Sequence, residues 1–583
     1  MSTTDETKTG GDVTPPPGKK SNTRRMLIRY GPIAVVIILI AAAVFVFGGG
    51  GGDDDDQSGS ANINTDEEAL IKSGPMTPQK ADLEGKDVDF GPRCDTDTGR
   101  IMLVSVYAPP CVEPFTGDNG GETAQGVTGD TVKVVYYRAD PALDPLLAAT
   151  VEGAGADVDP TSADRTIEDY ANLYNKIFET YGRKVDVEIY VGTGAGSDAT
   201  AAKSDAIAIA EKKPFAVIGG PAQSSAVFAE ELASQGIVCG PGCAVALNED
   251  IVNEFSPLLW QVGPTPNQAV QLASEAIGNM AGPGKATLAG DDATKAKDRV
   301  YALLHYDTPD GDHQQVFEDF KASLADNGID IATDIEFTLD LANAQENART
   351  NISKLKEAGV TTIILYTDPF TPASLTKEAT AQNYHPEWIL GPNTLMDTTI
   401  FARQVDQEQW SHMFGTAFIG ARGQQEDDGA FRIYDWAYGG LPPNNTANVL
   451  EPPLRTLFSG IHLAGPDLTV DSFRDGLLRN PPAGGGPTEP QVSRGEHGVW
   501  PDFDWGGSDD IAFIWWDPTA TGEDEVGNAG TGMYRYALNG KRYTLGHMPS
   551  STDDAGIFDV DKSVTVFDQV PEEDRTPDYP PPD

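Results

Sequence analysis

The chain has 583 residues, of which 41 are basic and 89 acidic, for a formal net charge of −48. That excess of acid repels nucleic acid and anionic lipid, so polyanion binding is excluded as the main role and the charge reads as a solvated coat. The length calls for three or four structural units, and a hydrophobic content of 39% with 8% aromatics excludes wholesale disorder.

Residues 1–25 are polar and proline-containing, and read as a short disordered cytoplasmic tail. Lys19, Lys20, Arg24, Arg25 and Arg29 precede an apolar run at 33–47 that Tyr30 extends to about one membrane span, so an anchor is expected over 26–47. Five glycines and Asp53 to Asp56 follow it. Basic residues before the span and acids after it place the bulk of the chain outside the cell membrane. A cleaved signal peptide is the alternative, but the small residues Ala41 to Ala43 lie inside the apolar run. No cysteine follows the run closely, which removes acylation at a lipobox. Residues 48–127 read as a flexible stalk leading into an irregular segment that holds Cys94 and Cys111. With Cys239 and Cys243 of a Cys-Gly-Pro-Gly-Cys loop, these give two local disulfides in an oxidising compartment. A metal site competes poorly, because the first histidine after Cys243 is His305.

From Thr131 the pattern changes. Val132 to Tyr137 reads as a buried strand, and Ile167, Tyr170, Ala171, Tyr174, Ile177, Phe178 and Tyr181 form a helical stripe. Strands at 185–191, 215–218 and 237–238 alternate with helices at 199–211 and 225–234. A strand at 258–262 leads through Pro264-Thr265-Pro266 into a helix at 268–280. The alternation then restarts, with strands at 300–305, 331–337, 361–366 and 388–390 and helices at 315–327, 344–358 and 373–383. Such alternation implies βαβ units and parallel sheets, and two consecutive blocks imply two lobes. Helices at 449–464 and 470–479 follow, then strands at 511–515 and 533–536, then an acidic, proline-rich tail over 550–583.

The stretch 215–238, with its turn Gly219-Gly220-Pro221-Ala222-Gln223-Ser224-Ser225, resembles the leucine/isoleucine/valine-binding proteins of ABC importers. The likeness continues through Trp260-Gln261-Val262-Gly263-Pro264-Thr265-Pro266-Asn267-Gln268, 352–366, Trp388-Ile389-Leu390-Gly391-Pro392-Asn393 and 447–478, and spans about 130–548. It implies a two-lobed α/β type I periplasmic-binding fold, each lobe a parallel sheet flanked by helices, behind one N-terminal transmembrane helix. Lobe 1 would occupy 128–266 and 418–512 with an insertion at 481–510, lobe 2 would occupy 267–417, and crossing strands would follow at 513–549. The implied hinges are 263–268, 416–420 and 518–522.

The resemblance also implies a ligand site in the cleft, at the carboxyl ends of the strands. The family's carboxylate-binding turn maps to Gln223, Ser224 and Ser225, where a serine that merely caps the helix is equally compatible with the sequence. The next loop maps to Gly242 and Ala244, where the family's hydroxyl is missing. A family tyrosine maps to Phe370, another aromatic to Asp310, and the carboxylate that grips the ligand ammonium to Asn393. An amide cannot form that charge-assisted pair, so an amino acid, an amide and a carboxylate all remain open as solutes. The family role is delivery of a small solute to an ABC permease, with no cofactor and no metal.

An enzyme is the rival class. No Gly-x-Ser-x-Gly elbow, His-Glu-x-x-His helix or Gly-x4-Gly-Lys-Ser/Thr loop is present, and the acids of 307–312 lack calcium-loop spacing. A non-enzyme is expected. The other alternative is a membrane-anchored sensor or partner-binding ectodomain on the same fold. The 25-residue tail carries no output module, which favours transport. The insertion at 481–510, with Trp500, Phe503 and Trp505, is expected to pack over the lobe rather than cover the cleft.

Overall fold

The computed structural model describes residues 67–143, 159–221, 225–244, 246–306, 313–337, 343–525 and 527–582. The expected tail, anchor and most of the stalk lie outside these residues, as do Gln223, Ser224 and Asp310. No helix among the described residues is long and apolar enough to cross a membrane.

The segment before the first lobe is stapled by Cys94–Cys111, whose Cα atoms are 5.7 Å apart, around the two-residue strands β1 (Cys94–Asp95) and β2 (Arg100–Ile101). Its Leu103, Ala108 and Cys111 are buried in the core of the first lobe. It is therefore part of that lobe.

The first sheet holds β3 (Thr131–Arg138), β4 (Lys184–Val191), β5 (Ala216–Ile218) and β6 (Val238–Cys239), all parallel, in the order β4-β3-β5-β6. Val134 to Tyr137 form an unbroken buried run because helices cover both faces, as an all-parallel sheet requires. Helix α1 (Pro160–Ile177) starts where the Asp159 side chain accepts from the Thr161 N–H, and buries Ile167, Tyr170, Ala171, Tyr174 and Ile177. Helices α2 (Ala199–Ala210) and α3 (Ser225–Ser234) complete the unit. Buried Asp205 is tolerated because it accepts bonds from the Tyr137, Tyr190 and Thr193 hydroxyls and the Thr193 N–H. Cys239–Cys243, with Cα atoms 5.3 Å apart, closes the loop after β6.

The second sheet begins after α4 (Pro266–Met280), whose capping box joins Thr265 and Gln268. Strands β7 (Tyr301–Tyr306), β8 (Ile331–Phe337), β9 (Thr362–Thr367), β10 (Glu387–Asn393) and β11 (Phe414–Ala417) run parallel in the order β8-β7-β9-β10-β11. Helices α5 (Gln314–Asp326), α6 (Ala344–Glu357) and α7 (Thr371–Ala381) provide the crossovers. Both lobes thus share the doubly wound order 2-1-3-4, which places a ligand crevice at the carboxyl ends of the strands. The buried pair Arg299–Glu387, at 2.8 Å, fixes the opposite end of this sheet.

The chain returns to the first lobe through α8 (Gly429–Tyr438), α9 (Ala447–Ala464) and α10 (Val470–Leu478), with α9 packed on α1. Three strands then correct the sequence reading. β12 (Asp510–Glu523), β13 (Ala529–Ala537) and β14 (Arg542–Thr544) extend the second sheet antiparallel from β11; they do not cross between the lobes. Residues 518–522 sit at a register shift within the β12–β13 hairpin, where Asp517 accepts from Thr519 and Ala520. The third crossing lies instead at 505–510, between Trp505 in the first-lobe core and the start of β12.

The acidic terminus is packed rather than loose. It pairs as β15 (Ser563–Val564) with β13, and the Phe567 N–H bonds the Arg422 carbonyl at 2.7 Å. Buried Asp574 accepts from Thr488, the Trp436 indole donates to the Tyr579 carbonyl, and the Tyr579 hydroxyl donates to Asp95 at 2.8 Å. The segment therefore runs from the second lobe to the first.

Candidate functional site: a cavity between the lobes

The three crossings are tied to one another. Trp260 of the first and Trp505 of the third meet edge-on at 5.1 Å, and the Gln268 amide donates to Asp504 at 2.7 Å. The Gly507 N–H reaches the Gly263 carbonyl at 3.1 Å. Arg542, fully buried, donates to the carbonyls of Phe418 and Ile419 in the second crossing and to Asp510 at the end of the third.

These crossings form the back of a cavity of about 500 Å³. The second lobe lines it with Tyr366 at the end of β9 and with Asn393, Leu395 and Asp397 at and beyond the end of β10. The first lobe lines it with Ile433 of α8 and with Asn448, Glu451 and Arg455 of α9. The volume falls within the range of small-molecule sites, and the placement is the strand-end crevice of a doubly wound sheet.

Two segments without a counterpart in the expected site complete the wall. Ser105 and Tyr107 come from the disulfide-stapled N-terminal segment, and Glu489, Pro490, Val492 and Arg494 come from the insertion. The insertion packs on the first lobe as expected, but it also forms one side of the cleft, which the expectation did not include. The Tyr107 hydroxyl donates to the Pro490 carbonyl at 2.7 Å, which ties the two segments together.

The lining is mostly apolar, with charges gathered on the first-lobe side. Glu451 and Arg455, one helical turn apart on α9, pair at 2.8 Å, and the Tyr174 hydroxyl also donates to Glu451. The Arg455 guanidinium lies 4.6 Å from the Tyr107 ring centre, and Glu451, helped by the Tyr174 and Tyr107 phenols, holds its pKa above the ordinary value despite burial. Pro452 and Pro453 interrupt the ladder of α9, leaving the carbonyls of Asn448 and Val449 without their intrahelical N–H partners. The Asn448 side chain closes the start of α8, accepting from the Ala430 N–H and donating to Asp428 at 2.7 Å.

Three further acids on the wall have no basic side chain within ion-pair reach among the described residues. Burial raises the Asp428 carboxyl above its ordinary range. Burial and the nearby Asp428 push Glu489 up to about 8. Burial pushes Asp397 up to about 7, against the pull of nearby backbone N–H groups. Among the described residues no group of three or more His, Cys, Asp or Glu is arranged to hold a metal ion.

Of the expected site residues that the structure describes, Asn393 lines the cavity, with its amide engaged by the Gly391 carbonyl and the Asp397 N–H. The others do not line it. Ser225 is buried at the start of α3. Gly242, at φ +84°, backs onto α9, and a Cβ there would stand 2.8 Å from Pro453. Ala244 is buried beside the bridged Cys243. Phe370 turns into the second-lobe core, edge-on to Phe401 at 5.6 Å.

No family model matches the chain. No curated protein matches it in sequence. Among solved structures it is similar to the leucine-, isoleucine-, valine-, threonine- and alanine-binding protein from Brucella ovis in its closed conformation. That match has 10% identity and a TM-score of 0.48, and covers 75% of this chain and 100% of that one. An ABC transporter substrate-binding protein from Aeropyrum pernix matches at 12% identity and a TM-score of 0.49, covering 73% of this chain and 98% of that one. The fatty acid ABC transporter substrate-binding protein from Thermomonospora curvata matches at 13% identity and a TM-score of 0.44, covering 76% and 99%. The chain resembles the substrate-binding proteins of ABC transporters. Its own topology is two doubly wound α/β lobes joined by three crossings.

Proposed function

We propose that this chain is an extracytoplasmic solute-binding protein, held at the cell membrane by its N-terminal apolar run, that delivers a small organic solute to an ABC-type importer. One observation carries the reading: the cavity is walled by both lobes and backed by all three crossings, so its occupant senses their relative position. A solute seated on one lobe recruits the other, and the closed form is what a permease distinguishes.

The test uses the full-length chain in detergent, with unfolding followed by intrinsic tryptophan fluorescence. Amino acids, amines, amides, carboxylates and sugars are screened in turn. A solute at a hundred times its Kd adds about 2.7 kcal/mol, a shift of several degrees at roughly 2–4 °C per kcal/mol. One chemical class should raise the midpoint. A panel without any shift contradicts the proposal.

A further inference from the structure

We infer that the solute is an organic cation, an amine with an apolar body, whose ammonium is held between Asp428 and Glu489 of the first lobe and faces Asp397 of the second. The inference rests on the solute-binding reading and adds the charge of the ligand and the side chains that select it.

The cavity wall carries the acids Asp397, Asp428, Glu451 and Glu489 against the bases Arg455 and Arg494. Arg455 is committed to Glu451, and Arg494 donates to the Gln261 carbonyl at 3.2 Å. Acids are therefore in excess, on a wall otherwise built of groups such as Tyr366, Leu395, Phe418, Ile433 and Val492. A carboxylate removed from water needs a partner charge or a proton. Asp397 is the sharpest case: it is 4% exposed, it lines the cavity, and no side chain pairs with it among the described residues. Glu489 has no ion pair either, its neighbours being the Tyr107 hydroxyl, the Arg455 charge and Asp428. Burial disfavours the charged form of Asp397, and more weakly that of half-buried Glu489 and Asp428. An ammonium offsets that cost with charge-assisted bonds.

The arrangement selects against acids. A carboxylate or zwitterion would place negative charge among Asp397, Asp428 and Glu489, while of the two guanidiniums on the wall Arg455 is paired with Glu451 and Arg494 lies in the field of Asp504 and Asp509. The acids also lie on both sides of the cleft.

The experiment titrates the full-length chain with hexylammonium, hexanoate, 1-hexanol and leucine, reading binding by calorimetry at fixed ionic strength. Hexylammonium should bind at least tenfold more tightly than the other three. Glu489→Gln and, separately, Asp428→Asn should each weaken it by about tenfold or more without changing the far-ultraviolet circular dichroism. Stronger binding of hexanoate, hexanol or leucine overturns the cation assignment while leaving solute binding intact. Hexylammonium binding that both variants leave unchanged also overturns it, by showing that the amine merely coats an acidic surface. Absence of binding by any probe, together with a flat screening panel, overturns solute binding itself.

Discussion

Replacing Arg542 with methionine should cost the fold at least about 4 kcal/mol, the sum of a broken buried ion pair and two stripped carbonyls. The guanidinium is 0% exposed and its partner Asp510 is 3% exposed. It donates to Asp510 at 2.8 Å and to the Ile419 and Phe418 carbonyls at 2.9 Å each. Asp510 also accepts from the Gln491 N–H, so one arginine joins two crossings and the insertion. Methionine fills much of the volume but supplies no donor, which leaves a buried carboxylate and two half-buried carbonyls unmet. The thermal midpoint should fall by roughly 10 °C. Lysine keeps the charge but cannot present the planar fork, and should recover less than half of the loss. Solute affinity should fall in both variants, because Phe418 and Ile419 line the cavity. A methionine variant within 1 kcal/mol of the wild type would show that the crossings are held by other contacts.

The second large effect belongs to the pair on α9. Arg455→Met removes the ionic partner of Glu451, which is 1% exposed, and leaves the Tyr174 hydroxyl donating to it. Breaking a buried pair from one side costs about 3–5 kcal/mol, because an uncompensated charge is left behind. The Tyr107 ring loses its cation as well, which loosens the wall formed by the N-terminal segment. Adding Glu451→Gln to the same chain removes the stranded charge and should restore more than half of the stability. Urea unfolding of the two variants checks this. Equal losses in the single and double variants would assign the cost to packing rather than charge.

Much of the fold was legible because it rests on periodicity. The run from Val134 to Tyr137 is apolar without alternation, which only a strand covered on both faces can be, and the stripe from Ile167 to Ile177 repeats at helical spacing. The cysteines pair locally, with separations of 17 and 4 residues. The wall of the cavity was less legible. Tyr107 and Glu489 come from segments rich in proline and glycine, whose shape is set by the surfaces they lie on rather than by any repeat of their own. Glu451 and Arg455, four residues apart, have the spacing of a solvated surface pair, and only the packing of Tyr107 over them makes them interior. The family pattern places a hinge at 518–522, but Asp517 binds that stretch into a bulge. Tyr579 and Asp574 anchor a terminus whose composition reads as loose, because two specific partners outweigh an acidic average. Residues mapped by family pattern, such as Phe370 and Gly242, are placed by neighbours that the pattern does not describe.

Hydrogen exchange of the wild-type, full-length chain, with and without a solute that raises its thermal midpoint, tests the central claim most directly. Binding between the lobes should slow exchange together in 392–397 of the second lobe, 448–459 of the first lobe and the crossing at 261–266. Protection confined to one lobe, or absent from all three segments despite a clear thermal shift, would place the solute elsewhere and contradict the account.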